Sequence, residues 1–443
     1  MRARLLAPVA ILSLLPFSAH AAPPSRLGPI VRVTTPGTAG CHTESEPALA
    51  ITSAGTWVGY NDLGLCQAAD AALGNHITFV QLLPAAGGSA RVVPLPPLEL
   101  GWGYVGDPAL AADADGRGVV LTSLAANSTP QVGTTSVSSV SLRLEVLRIS
   151  AAGAVQRLPA ASGPTPFDDK EAVAVDRSGR IYVTWDESST NQVSLRVFDG
   201  RRWLPTRQVY PFPGGRPDVA VSAAGRVAVA YETGDGVEVR AAGSHDKALG
   251  RSVLAIPGAD PGHVDSTCPL INAVGVRQRV IRSPRMAWDT RGRLHLVAAV
   301  GSSLNVTPTA AGSVESTIVH AVSLDAGRSW TRTTLTETTA WAPSIAALPN
   351  GAVAVGYLAL ADAAGSTFTA RLWRSDAGTV ELSQGAASLS VGSESTRSNY
   401  CYGLGDYTGT AARGADVAFA WGSTAGAARP GYDTDVLVRH LRG

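Results

Sequence analysis

Residues able to do chemistry recur at equivalent places in this chain, each just ahead of a short apolar run: Glu46, Asp107, Lys170, Arg216 and Asp406, with Asp218 and Arg285 two positions further along in their own copies. Carboxylates and cations brought to one rim either pair with one another as a structural ring or hold a polar ligand between them. Glu46, Asp107 and Arg216 are therefore candidate ligand-binding residues. Aromatic residues also gather ahead of these runs, at Trp102, Tyr104, Trp341, Tyr400, Tyr402 and Tyr407. Flat apolar rings with a polar handle suit sugar rings or peptide side chains. Asp168, Asp169 and Glu171 offer the hard oxygens that Ca²⁺ takes, but without the regular spacing of a calcium loop, so no cofactor and no metal are expected. Ser123 and His263 invite a Ser/His reading, yet no G-x-S-x-G elbow surrounds any serine.

The elements that must position these residues are visible as a repeat. A polar residue, often followed by Pro, leads four or five apolar residues, a Gly-containing turn and a second apolar run. The copies are EPALAITSAGTWVGY from Glu46, DPALAADADGRGVVLT from Asp107, KEAVAVDRSGRIYVTW from Lys170, RPDVAVSAAGRVAVAY from Arg216, SPRMAWDTRGRLHLVA from Ser283, APSIAALPNGAVAVGY from Ala342 and, most degenerate, DYTGTAARGADVAFAW from Asp406. Their starts lie about 46 to about 67 residues apart, near the propeller-repeat periods of roughly 40 to 50. A weaker hairpin lies between copies, as in SLRVFDGRRWLPTRQV from Ser194, and two hairpins make one four-stranded blade. The seventh copy has its first hairpin and one further strand from Asp433, and PIVRVTT from Pro29 is free to supply the fourth. The expected fold is all-β: a seven-bladed propeller closed by the N-terminal strand, with a six-bladed ring as the alternative.

In such a blade the strand 1–2 and 3–4 turns share one face, and the 2–3 and blade-to-blade loops share the other. The turns at Gly55, Gly116, Gly179, Gly225, Gly292 and Gly351 fall on the first. The long loops, about Pro257 to Arg282 and about Gly385 to Gly405, fall on the second, together with Cys41, Cys66, Cys268 and Cys401. Loops longer than a connector needs usually carry function.

Arg2 and Arg4, the apolar run Leu5 to Phe17 and Ala19-His20-Ala21 read as a cleavable signal peptide over 1–21, leaving 22–443 as a single propeller domain, secreted or periplasmic. Losing those two arginines takes the formal charge from +1 to about −1, and no Lys/Arg run remains. Nucleic acid and membrane are thereby excluded as partners, and a monomer is expected. Four cysteines in an exported chain point to two disulfides, with three connectivities open; on the loop face Cys41–Cys66 would pin one blade's loops and Cys268–Cys401 the two longest.

The segment SLDAGRSW, with Ser323, Asp325, Gly327 and Trp330, resembles the Asp box, or BNR repeat, of sialidase-like propellers, and the hairpin copies are similar to those of secreted bacterial members. The resemblance implies a structural turn at that segment and, on the opposite face, a site for a glycan. A sialidase would need three arginines for the substrate carboxylate, an Asp acid or base, and a Tyr activated by a Glu. IRSPRMAWD is the one match to the family's arginine motif, which places Arg282 in the first role; Arg285, Arg397, Tyr400, Glu394 and Asp107 are the remaining candidates. The expected function is binding of a glycan or protein ligand on the loop face without a complete sialidase site. An exo-acting, sialidase-like glycoside hydrolase is the alternative, so enzyme activity stays open.

Overall fold

The computed structural model describes residues 26–33, 44–62, 77–127, 141–165, 168–187, 192–211, 215–258, 281–301, 316–336, 339–361, 368–383, 405–423 and 435–443. They form seven four-stranded antiparallel sheets, the blades of a propeller. The innermost strands of blades 1 to 7 are Glu44–Ile51, Trp102–Ala112, Asp168–Val175, Gly215–Val221, Arg285–Trp288, Ala340–Ala347 and Gly409–Arg413. Blade 7 takes its outermost strand from the chain start: Arg26–Val33 pairs antiparallel with Asp435–Arg442, in register from Arg26↔Arg442 to Val33↔Val436. This closes the ring and covers the strand edge that the C-terminal strand would otherwise expose.

The strands read as nearly continuous apolar runs because a blade is covered on both faces. In Ile181–Glu187, Ile181, Val183 and Trp185 pack with Val120, Leu144 and Phe198 between blades 2 and 3, while Tyr182 packs with Val219, Val229 and Tyr231 toward blade 4. The two alternating sets are therefore both core. Small residues appear where blades approach most closely: a Cβ on Gly356 would lie 2.1 Å from Phe419 Cδ2 of blade 7, so any larger residue there overpacks the contact.

The turn face is clamped by one blade donating to the next blade's turn. Ser53 N bonds Gly116 O at 2.9 Å, Arg148 Nη2 bonds Gly179 O at 3.2 Å, Arg226 Nη2 bonds Gly292 O at 3.1 Å and Arg293 Nη2 bonds Gly351 O at 2.6 Å. On the same face Asp325 accepts from Arg328 N at 3.0 Å and Ser329 N at 2.9 Å, and Gly327 adopts φ 90°. Trp330 seats on the blade 4–5 core, with its ring nitrogen on Gly327 O at 3.2 Å. These turn bonds hold the Asp325 carboxyl at about 2.

The expected disulfides fall on residues that the structure does not describe. The described residues contain no disulfide, and Cys41, Cys66, Cys268 and Cys401 all lie outside them, as does the expected signal peptide. Among the described residues no helix is long and apolar enough to cross a membrane.

Candidate functional site at the channel mouth

The seven copies share one unusual backbone position. Glu46, Asp107, Lys170, Arg216, Ser283 and Ala342 have φ between 44° and 53°, and Gly405 at φ 87° takes the equivalent place in blade 7. This left-handed region costs a non-glycine residue about 1–2 kcal/mol. In five blades the ladder register shifts across this position, as between Ser45 and Ala48 or Asp169 and Ala172, which is the signature of a β-bulge. Pro follows in five copies, at 47, 108, 217, 284 and 343, where a bulge needs no ladder N–H. The bulge turns side chains that would enter the blade core toward the channel mouth instead. Strain of this kind, held in place by the surrounding sheet, is what functional sites are built on.

One ion network there joins four blades. Lys170 Nζ stands 2.9 Å from Asp107 Oδ2, 3.1 Å from Asp406 Oδ2 and 3.8 Å from Glu46 Oε1. Glu46 is further held by Asn61 Nδ2 at 2.7 Å and Asp406 N at 3.0 Å. Arg216 Nη1 pairs with Glu232 Oε2 at 2.9 Å, and Glu232 Oε1 accepts Ser283 N at 3.2 Å. Asp218 Oδ2 accepts Met286 N at 2.6 Å.

Between these groups lies a cavity of about 10 Å³, room for about one water, lined by Asp107, Lys170, Glu171, Arg216, Ser283, Arg285 and Tyr407 together with Pro217 and Ile281. Tyr407 is buried, with its hydroxyl 3.5 Å from Asp107 Oδ1, and the Arg285 guanidinium lies 5.4 Å from its ring centre. Arg285 makes no ion pair among the described residues; its one hydrogen bond goes to Pro284 O at 3.2 Å.

Burial and neighbouring charge split the acids of the mouth. Burial works against ionising Asp107, but Lys170 and hydrogen bonding with Glu46 and Asp169 hold it well below the ordinary carboxylate range. Burial raises Asp169, with Asp107 adding to the effect against the pull of Lys170. Burial, then the charge of Asp107, raises Glu171 well above its ordinary value, and neither of its oxygens has a hydrogen-bond partner. Asp218 is pushed up to about 6 by burial, which the Arg285 charge and two backbone N–H groups only partly offset. Burial and the nearby Asp107, Glu46 and Glu171 raise the Tyr407 hydroxyl.

Of the residues expected to form a site, Asp107, Arg216, Arg285 and Tyr407 converge on the cavity, and Glu46 stands directly behind it. Arg282 does not. Its guanidinium donates to the carbonyls of Thr233, Gly236 at 3.1 Å and Gly258 at 2.7 Å, tying down the blade 4 loop ends, so its expected carboxylate-binding role is corrected to a structural one. Trp341 is corrected too: it is buried in the blade 6–7 core, its ring 6.0 Å from that of Phe368. Trp102 is half-buried under the Arg143 guanidinium at 3.9 Å, and Tyr104 donates to Pro96 O at 3.2 Å, so both brace a blade 2 extension rather than line the cavity.

Ser123 is buried and bonded to Gly106 O at 2.9 Å and Thr78 Oγ1 at 2.7 Å, which leaves no nucleophile there. Asp168, Asp169 and Glu171 do not gather as a cation site. Asp168 sits near Ser162 and Thr165, away from the other two, and no cluster of three or more His, Cys, Asp and Glu among the described residues is arranged to hold a metal. Arg397, Tyr400, Tyr402, Glu394 and His263 lie outside the described residues.

Glu171 is the cavity-lining acid whose place sequence reasoning missed. Its signal was present: it and Asp406 are the two acids at a position that is Pro in every other copy.

No protein-family model matches the chain, and no curated protein matches it in sequence. Solved structures similar to it include a protein of unknown function from Dyadobacter fermentans, at 13% identity and TM-score 0.45, covering 95% of this chain and 100% of that one. Polysaccharide lyase Uly1 matches at 8% identity and TM-score 0.48, covering 89% of each chain. Trypanosoma rangeli sialidase matches at 10% identity and TM-score 0.44, covering 95% of this chain and 60% of the sialidase, so the chain spans well under two thirds of that protein. Fold and site thus define a seven-bladed β-propeller with a mixed-charge pocket at its loop-face mouth. At these identities the likeness describes architecture and carries nothing about chemistry.

Proposed function

We propose that this protein is an exported propeller that binds an acidic glycan at the loop-face mouth of its channel without turning it over. The observation that carries the reading is Arg285, a guanidinium on the cavity wall with no ion-pair partner among the described residues, stacked toward the ring of Tyr407. Lys170 and Arg216 already face carboxylates, so Arg285 is the cation left to hold a ligand's anionic group, and the Tyr407 ring offers an apolar face beside it. Retention without turnover fits a cavity with room for one water, and fits the loss of Arg282 to carbonyl bonding.

Binding by calorimetry to a panel of sialylated, uronic-acid and neutral oligosaccharides tests this reading. Arg285→Ala is expected to weaken the acidic ligands by tenfold or more, the scale of one charge-assisted contact. Equal affinity of the variant and the parent would sink it. A glycoside hydrolase is the second reading, favoured by the ionised Asp107 and the unpartnered acid Glu171 lining one cavity with Tyr407, an arrangement in which environment assigns one acid and one base. Mass spectrometry of the same mixtures decides between the two: a released terminal sugar means turnover. Export is tested by sequencing the N-terminus of protein recovered outside the cytoplasm; a mature chain starting at Ala22 is expected, and an intact Met1 in the cell interior speaks against it.

A further inference from the structure

Resting on the reading of the mouth as a glycan site, we propose that Glu171 selects the ligand by donating its carboxylic-acid O–H to a ligand oxygen, so that the mouth accepts acceptor groups and closes to them on deprotonation. Two independent observations point there. The Glu171 side chain is only 6% exposed, lines the cavity, and has both carboxyl oxygens without a hydrogen-bond partner. A buried polar group left unpaired is destabilising, and a ligand oxygen in the cavity would supply the missing partner. The second observation is compositional. Five of the seven copies carry Pro at this place, which contributes no side-chain hydrogen bond, whereas Glu171 puts a carboxyl there, beside the guanidinium of Arg285 and the hydroxyl of Tyr407.

The groups facing Glu171 explain why it works as a donor rather than as an anion. Asp107 stands on blade 2, Glu46 on blade 1, Asp169 and Lys170 on its own strand, Arg216 and Asp218 on blade 4, Arg285 on blade 5, and Asp406 and Tyr407 at blade 7. Lys170 is held by Asp107, Asp406 and Glu46, and Arg216 by Glu232, so the pull of Lys170 on Glu171 is outweighed. Burial and the ionised Asp107 then keep its proton on. An acceptor oxygen placed between Glu171 and Arg285 receives two donors, which favours an acceptor group of the ligand at that point of the mouth.

The test compares the parent with Glu171→Gln and Glu171→Ala, using a sialylated trisaccharide, a uronic-acid disaccharide and uncharged lactose as probes from mildly acidic to alkaline pH. The amide of Gln keeps a neutral donor of the same length. Glu171→Gln is expected to bind the acidic probes within about threefold of the parent at acidic pH, and to hold that affinity as pH rises while the parent weakens by about tenfold, one hydrogen bond's worth. Glu171→Ala should be weaker by about tenfold throughout. Asp169 and Asp218 also titrate upward of their usual range and remain in all three proteins, so the difference between parent and Gln variant isolates Glu171. Superimposable pH profiles of parent and Glu171→Gln, or parent-like affinity of Glu171→Ala, overturn the proposal while leaving the glycan reading intact. Failure of every probe to bind the parent overturns the glycan reading and, with it, the role given to Glu171.

Discussion

Lys170→Met should lower stability by about 3 kcal/mol near neutral pH, because removing one partner of a buried ion network leaves the others uncompensated. Lys170 is the cation shared by Asp107, Asp406 and Glu46, and its ammonium joins blades 1, 2, 3 and 7 across the mouth. Met keeps much of the stem's packing, so the loss reports charge rather than volume. The pH dependence has a definite sign. Asp107 is depressed in the folded protein, so its contribution is present above its unfolded value and is lost as pH falls through the folded one. Without Lys170 that depression goes, and the deficit of the variant should be largest at neutral pH and shrink on acidification. Urea midpoints of both proteins at neutral and at acidic pH measure this. An equal deficit at both, or one under about 1 kcal/mol at neutral pH, would show that the network is too well hydrated to matter.

The second large effect is expected from deleting residues 26–33. Blade 7 would keep three strands, and Asp435–Arg442 would present a bare edge of backbone donors and acceptors. Val33, fully buried with Val58, Tyr60, Val436 and Val438, would leave a cavity at the junction of blades 7 and 1. The bond from Arg439 Nε to Gly28 O at 2.9 Å and the Arg32–Asp435 pair at 3.2 Å would go as well. Together these amount to about 5 kcal/mol, summing one buried Val at about 2 kcal/mol with several net backbone bonds at about 1 kcal/mol each. Light scattering should show association through the open edge, and a synthetic peptide of residues 26–33 should restore both the melting temperature and the monomer by strand addition. A truncated chain that stays monodisperse and melts like the parent would mean that closure of blade 7 contributes little.

The two predictions draw on different layers of the molecule, and those layers were not equally legible in the sequence. The architecture was. Each copy carries its own turn glycine and two apolar runs, and because a blade is covered on both faces, the two inner strands of each blade advertise themselves as apolar whatever their neighbours are. Counting copies, and finding one strand too few at the end and one to spare from Pro29 at the start, pointed to seven blades over the six-bladed alternative and to closure by the strand that the structure shows as Arg26–Val33. The charged ring at the copy starts was legible for the same reason, since equivalent places in a repeat become neighbours around an axis.

What the tertiary structure alone decided is which member of that ring is satisfied and which is left over. Arg282 and Arg285 are three residues apart on one chain segment, yet one is absorbed by the carbonyls of Thr233, Gly236 and Gly258 and the other stands in the mouth without an ion pair. Trp341 and Tyr407 both stand next to the start of their copy in the sequence, yet one fills a blade core and the other the pocket wall. No local pattern separates these pairs, because pairing and burial are set by groups from other blades, hundreds of residues away in some cases, as with Glu46 and Asp406. The sequence by itself determined that charged and aromatic side chains would meet at one end of a seven-fold channel. Only the packed ring decided that Lys170 would be consumed by three carboxylates while, among the described residues, Arg285 was left without an ion pair and Glu171 without a hydrogen-bond partner, since the free energy of a buried polar group depends on the partners that the whole fold brings within reach.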